Sequence, residues 1–144
     1  MPYWLLPVSR TAGNPAYPPS EWGGSTDVPA RSDRRLGRWG PIHYEIHGNG
    51  SPALVFVHGW CCDRRSWDGQ VQAFAPRHTV VALDLAGHGA SGRERASWTI
   101  QAFGLDVTAV VEKLGLRRVV LIGHSLGGGP IVEAVRRSAR GSSV

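Results

Sequence analysis

Cysteine and lysine are nearly absent from this 144-residue sequence, and no apolar run is long. The two cysteines, Cys61 and Cys62, are adjacent. Neighbouring thiols rarely bridge and no third is present, so a disulfide framework is excluded and a reducing, cytoplasmic compartment is expected. The only lysine is Lys113. The glycine-rich stretch 123–130 therefore lacks the lysine of a phosphate loop. The formal charge of +5 comes almost wholly from arginines, many in pairs such as Arg64 with Arg65 and Arg136 with Arg137. They form no stripe with interleaved aromatics, which argues against a nucleic-acid partner. No stretch has the length of a membrane-spanning helix, so no membrane partner is expected. The short apolar run 3–8 is broken by Pro7 and has no basic residue before it, unlike a signal peptide.

Hydrophobic periodicity is also missing at the N-terminus. Residues 1–36 carry Pro2, Pro7, Pro15, Pro18, Pro19 and Pro29 with Gly and Ser between them. That composition predicts a disordered leader, because little apolar surface is available to offset the entropy of ordering it. Residues 37–144 read as the folded portion. Ile42 to His47 alternates and ends in Gly48-Asn49-Gly50, a strand and turn. Apolar runs at 53–57, 79–85 and 119–122 read as buried strands covered on both faces. Trp67, Val71 and Phe74 mark a short helix. Ile100, Phe103, Val107, Val110 and Leu114 mark a longer one, with Thr99 as N-cap and Gly115 as its stop. A last helix runs to about Arg137, with Pro130 placed to distort its first turns. Strands alternating with helices imply a largely parallel sheet with right-handed crossovers.

Three motifs follow the three apolar strands. Gly123-His124-Ser125-Leu126-Gly127-Gly128 has the G-x-S-x-G form of a nucleophile elbow. There a serine sits on a strained strand-to-helix turn, and Gly123 and Gly127 are small because strand and helix pass close together. The helix N-terminus aims N–H groups at the site, where an oxyanion would be held. His58-Gly59-Trp60 follows the strand 53–57, and Asp84-Leu85-Ala86-Gly87-His88-Gly89-Ala90-Ser91 follows the strand 79–85. All three loops would open at the C-terminal edge of one sheet, where open α/β folds bind ligands.

Several competing patterns fail. Gly87 to Gly92 spells G-x-G-x-x-G, but no helix pattern follows directly, and Asp106 falls inside a helix rather than at a strand end. A dinucleotide cofactor is therefore not expected. His43 to His47 is not the zinc motif H-E-x-x-H. His58, Cys61 and Cys62 lie too close in sequence to surround one ion. Neither a metal nor any other cofactor is expected.

In these motifs and their order the chain resembles the α/β-hydrolase family, from about Ile42 to Arg137. The resemblance implies an α/β fold: a mostly parallel sheet holding the family's strands 2-4-3-5, part of its full order 1-2-4-3-5-6-7-8, with flanking helices. It implies Ser125 as the catalytic nucleophile, and the backbone N–H groups of Trp60 and Leu126 as the oxyanion hole. Gly123, His124, Gly127, Gly128, His58, Gly59, Asp84, Gly87, His88 and Gly89 would support the elbow and loops around them. The activity implied is cofactor-independent hydrolysis of a small ester-like acyl substrate. Serine at the elbow disfavours the family's dehalogenase and epoxide-hydrolase chemistries, which use a carboxylate nucleophile. The family's triad acid and histidine follow later strands than this chain contains. His88 is the nearest local histidine, but no carboxylate is evidently placed to orient it. His124 is expected to point to the opposite side of the strand from Ser125, His58 to organise the oxyanion loop, and Asp84 to fix the loop after its own strand. The rival expectation is a partial, non-catalytic domain. Without a sixth strand the run 119–122 becomes a sheet edge, prone to self-association or to pairing with a missing C-terminal half.

Overall fold

A computed structural model describes residues 41–141. The expected disordered leader lies outside the described residues. The elements run β1 (Tyr44–His47), β2 (Ala53–Val57), α1 (Asp68–Phe74), β3 (Val80–Leu83), α2 (Ile100–Lys113), β4 (Val119–Gly123) and α3 (Gly128–Gly141). Short 3₁₀ turns at Arg64–Trp67 and Ser125–Gly127 lead into α1 and α3. One sheet has the order β1-β3-β2-β4, the 2-4-3-5 order implied by the family resemblance. β2 is parallel to both neighbours, and β1 is antiparallel to β3.

Apolar alternation sorts the side chains onto two faces. Val55, Val57, Val81 and Leu83 pack with Phe103, Val107 and Val110 of α2 and with Ala134 of α3. Leu54, Phe56, Val80 and Ala82 pack with Val71 of α1, and the Trp67 ring lies 4.8 Å from that of Phe56. Each buried Val, Leu or Phe among them contributes about 1.5–3 kcal/mol by leaving water, so both faces are held. The helix ends follow the sequence signals. Thr99 accepts a hydrogen bond from the Ala102 N–H at 3.2 Å, and Gly115 takes a φ of 62° just past the end of α2. Pro130 falls in the first turn of α3, where its missing N–H has no helical partner to lose, and the helix continues through it.

Two expectations need correction. β3 is shorter than the run 79–85: it ends at Leu83, because Asp84 turns away to serve a loop, although Leu85 stays buried. β4 reads as a buried strand, yet Val120 is 44% exposed and no residue of β4 is fully buried. The cause is position. Among the described residues β4 pairs only with β2 and is the sheet edge, as expected for a run with no sixth strand beside it.

The register positions the site. Val57 of β2 is level with Leu83 of β3 on one side and with Gly123 of β4 on the other. Parallel strands ending in one row deliver their next residues, His58, Asp84 and His124, to the same edge.

Candidate active site

Ser125 is exposed and has a φ of 51°, in the left-handed region. A non-glycine residue there costs roughly 1–2 kcal/mol, and a serine held so between a strand and a helix is the mark of an elbow. The turn is fixed on both sides. The His124 N–H donates to the Val57 carbonyl at 3.0 Å, and the Gly127 N–H donates to the His124 carbonyl at 2.9 Å. Small residues are required here. A methyl group on Gly127 would lie 2.3 Å from the Val57 carbonyl oxygen, and one on Gly123 would lie 2.6 Å from Gly127. Gly128 is different: a methyl there meets nothing within 4 Å, so packing does not demand glycine at that position.

The loop after β2 abuts the elbow. A methyl on Gly59 would sit 3.3 Å from the Ser125 Cβ and 3.0 Å from the His124 Nδ1. His124 is exposed, with its ring beside Gly59. The turn carrying Trp60 is closed by the Cys62 N–H donating to the Gly59 carbonyl at 3.3 Å. Cys61 and Cys62 are both free thiols, and Cys61 is exposed with a φ of 56°.

His58 is fully buried and does structural work. The Leu85 N–H donates to its Nε2 at 3.0 Å, which makes that nitrogen an acceptor. Nδ1 therefore carries the proton and donates to the Gly59 carbonyl at 2.7 Å. One imidazole thus joins the loop after β2 to the loop after β3. Burial lowers its pKa below the ordinary imidazole value, outweighing the Gly59 hydrogen bond.

Asp84 is also fully buried and holds three segments. It accepts from the Arg64 N–H at 2.7 Å, from the Ala90 N–H at 3.0 Å and from the His43 Nδ1 at 3.2 Å, with the Arg64 guanidinium 3.5 Å away. Gly89, at a φ of 50°, lies against this carboxylate: a Cβ there would be 2.3 Å from it. Ser91 completes the loop by donating to the Asp84 carbonyl at 2.6 Å. The carboxylate is thus committed to the loop after its own strand and does not orient His88. The His88 Nδ1 is 3.0 Å from the Ala86 carbonyl, and the ring stands 5.1 Å from that of His58 and edge-on to Trp60 at 5.5 Å. Among the described residues no carboxylate is hydrogen-bonded to His88.

Three loops from three adjacent strand ends thus surround an exposed serine on a strained turn. Residues 52–138 match the sequence profile described as the alpha/beta hydrolase fold. The chain belongs to this family.

A non-heme haloperoxidase of Rhodococcus erythropolis is 39% identical over 101 residues, which are 69% of this chain and 36% of that protein. A bifunctional esterase/perhydrolase of Acinetobacter calcoaceticus is 37% identical over 100 residues, 69% of this chain and 34% of that protein. The crystal structure of a bromoperoxidase from Bacillus anthracis superposes with a TM-score of 0.64 at 34% identity, over 67% of this chain and 35% of that one. The chain spans only about a third of the length of these hydrolase-fold relatives, and the four strands among its described residues make up part of the fold.

Two anchoring residues went unseen in the sequence. Arg64 joins Asp84 to Glu45 across the β1 side of the sheet. Arg95 is buried against Asp106 at 2.8 Å, with its guanidinium 5.5 Å from the Trp98 ring centre and 5.1 Å from that of Phe103. No spacing marks either arginine among the many others. Among the described residues no group of three His, Cys, Asp or Glu side chains could hold a metal ion, and no helix is long and apolar enough to cross a membrane.

Proposed function

We propose that this hydrolase-fold chain carries the nucleophile half of a serine hydrolase acting on small ester-like acyl substrates. The reading rests on one observation above all: Ser125 is exposed at a left-handed φ of 51° directly beside Gly59 of the preceding loop. The Ser125 Oγ attacks the carbonyl carbon, and its proton passes to a histidine from outside the described residues. The N–H groups of Trp60 and Leu126 hold the oxygen that becomes negative. As the intermediate collapses, that histidine returns the proton to the departing alcohol, and water then attacks the acyl group, giving one proton through the histidine to Ser125 as the acid leaves. Among the described residues, neither N–H group is spent on a backbone carbonyl. No cofactor is needed for these steps. The relative named for esterase and perhydrolase activity favours acyl chemistry, and the two adjacent free thiols favour a reducing cytoplasm.

A second reading has its own support. His58 is locked in one tautomer, His88 is held by a carbonyl, and Asp84 is committed to its loop. Without an activating histidine–acid pair, the chain acts as a binding or complementing partial domain. p-Nitrophenyl acetate hydrolysis separates the two. Alone, the chain is expected to stay near the uncatalysed rate. Adding the C-terminal portion of the Acinetobacter relative is expected to give turnover that Ser125→Ala abolishes. Turnover that survives Ser125→Ala overturns the nucleophile assignment. Strong Ser125-dependent turnover by the chain alone overturns the need for a second segment, and His88→Ala then tests a local base.

A further inference from the structure

Among the described residues two that are not glycine hold left-handed backbone, Ser125 at a φ of 51° and Cys61 at a φ of 56°. Both flank Gly59. A Cβ on Gly59 would lie 3.3 Å from the Ser125 Cβ, and Gly59 also opens the turn that contains Cys61. That turn spans residues 59–62 and is closed by the Cys62 N–H donating to the Gly59 carbonyl at 3.3 Å. Its second residue is Trp60 and its third is Cys61. Positive φ at the third position is the habit of glycine or asparagine, so a cysteine there is strained. Beside it stands a second thiol. Cys61 is exposed, Cys62 is partly buried, and both are free. The turn is also pinned from outside. His58 before it accepts from the Leu85 N–H at 3.0 Å, and the Arg64 N–H after it donates to Asp84 at 2.7 Å.

We propose that Cys61 and Cys62 are a peroxide-sensitive dithiol whose reversible oxidation withdraws the Trp60 N–H from the site. The thiol chemistry stands by itself, and its effect on catalysis rests on the hydrolase reading. The exposed Cys61 sulfur attacks one oxygen of hydrogen peroxide. The O–O bond breaks, the other oxygen leaves as water, and Cys61 becomes a sulfenic acid. The Cys62 sulfur then attacks the Cys61 sulfur, the S–O bond breaks, and a second water carries off the Cys62 proton. The two thiols lose two hydrogens and two electrons in all, and the peroxide gains them. Adjacent Cα atoms stand about 3.8 Å apart across a trans peptide, short of the roughly 4.4–6.8 Å that a disulfide prefers. Such a bond is strained and readily reduced again, which suits a switch and not a staple. Both bridged residues belong to the turn 59–62, and the anchors at His58 and Arg64 keep the strain there. The long hydrogen bond from Cys62 to Gly59 is the weakest restraint in the turn. When it breaks, Trp60 loses its fixed place.

The test is oxidation of the whole chain with hydrogen peroxide, read by mass spectrometry and by NMR of the ¹⁵N-labelled protein. The peptide carrying both cysteines is expected to lose two hydrogens, and dithiothreitol should restore them. The Trp60 amide signal should move on oxidation and return on reduction, while that of Val107 in the core stays in place. Cys62→Ser should stop at a Cys61 sulfenic acid that dimedone traps. A disulfide between two chains, sulfinic acid without a bridge, or a bridge that leaves the Trp60 amide signal unmoved overturns the proposal. If Cys62→Ser does not fold, the wild-type masses and shifts still decide it. Fluorophosphonate labelling of Ser125 reads the hydrolase claim separately. The oxidised chain should label roughly 10²–10³-fold more slowly than the reduced one, the usual cost of one lost oxyanion donor. A reduced chain that never labels, with bridge and Trp60 shift intact, removes the hydrolase reading and keeps the dithiol. Equal labelling of the two forms overturns the link between the dithiol and the site.

Discussion

The strained backbone at Ser125 makes a signed prediction about stability. Its φ of 51° lies where an L-residue loses roughly 1–2 kcal/mol relative to ordinary regions, and glycine loses nothing. Glycine has a countervailing cost, because its unfolded chain is freer by about 0.5–1 kcal/mol. Ser125 is exposed, so the change of side chain itself adds little. Ser125→Gly should therefore be more stable than Ser125→Ala by about 0.5–1 kcal/mol. For a folded region of this size that is a rise in Tm of roughly 2–6 °C. A control at Ser138, inside α3, should show the opposite order, with Ala better than Gly by about 1 kcal/mol. Urea unfolding followed by tryptophan fluorescence measures all four variants. If Ser125→Ala proves the more stable of its pair by the same margin as at Ser138, the residue is not in the left-handed region and the elbow argument fails.

Neighbouring glycines should part company. Gly127→Ala is expected to destabilise by about 1–3 kcal/mol, because its methyl would press on the Val57 carbonyl; Gly128→Ala, which meets open space, should be neutral or stabilising in the same urea assay. The lowered pKa of His58 gives a pH dependence with a definite sign. The unfolded chain takes up the proton more readily than the fold, so this contribution is complete above about pH 6.5 and is lost as pH falls below it. The urea midpoint of the wild type should drop from pH 7 to pH 5, and His58→Gln should flatten that slope; an unchanged slope would remove His58 from the account. The β4 edge should drive self-association in the purified chain, read by light scattering after size exclusion, and Val120→Lys should reduce it. A monodisperse wild-type monomer would show that the edge is already protected.

Sequence legibility differed between the sheet and the site. Continuous apolar runs at 53–57 and 119–122 located β2 and β4, because strands in a parallel sheet need apolar side chains on both faces. Thr99 and Gly115 marked the ends of α2 through capping chemistry that is local in sequence. The exposure of β4 could not be read from its own residues; it depends on which strand lies beside it. Within the site, the three loops were visible as motifs, but their fastenings were not. Asp84 reaches Arg64 across 20 residues and His43 across 41. Such pairs are set by the order of strands in the sheet, and one arginine among fifteen carries no mark of its partner. Arg95 under Trp98 is the same case: the loop path brings them together, not the spacing.

A crystal structure of the chain after prolonged reaction with a fluorophosphonate tests the central claim most directly. The account predicts phosphorus bonded to the Ser125 Oγ, with one phosphoryl oxygen about 3 Å from the backbone nitrogens of both Trp60 and Leu126. An adduct on another residue, or those two nitrogens facing away from the oxygen, would contradict it.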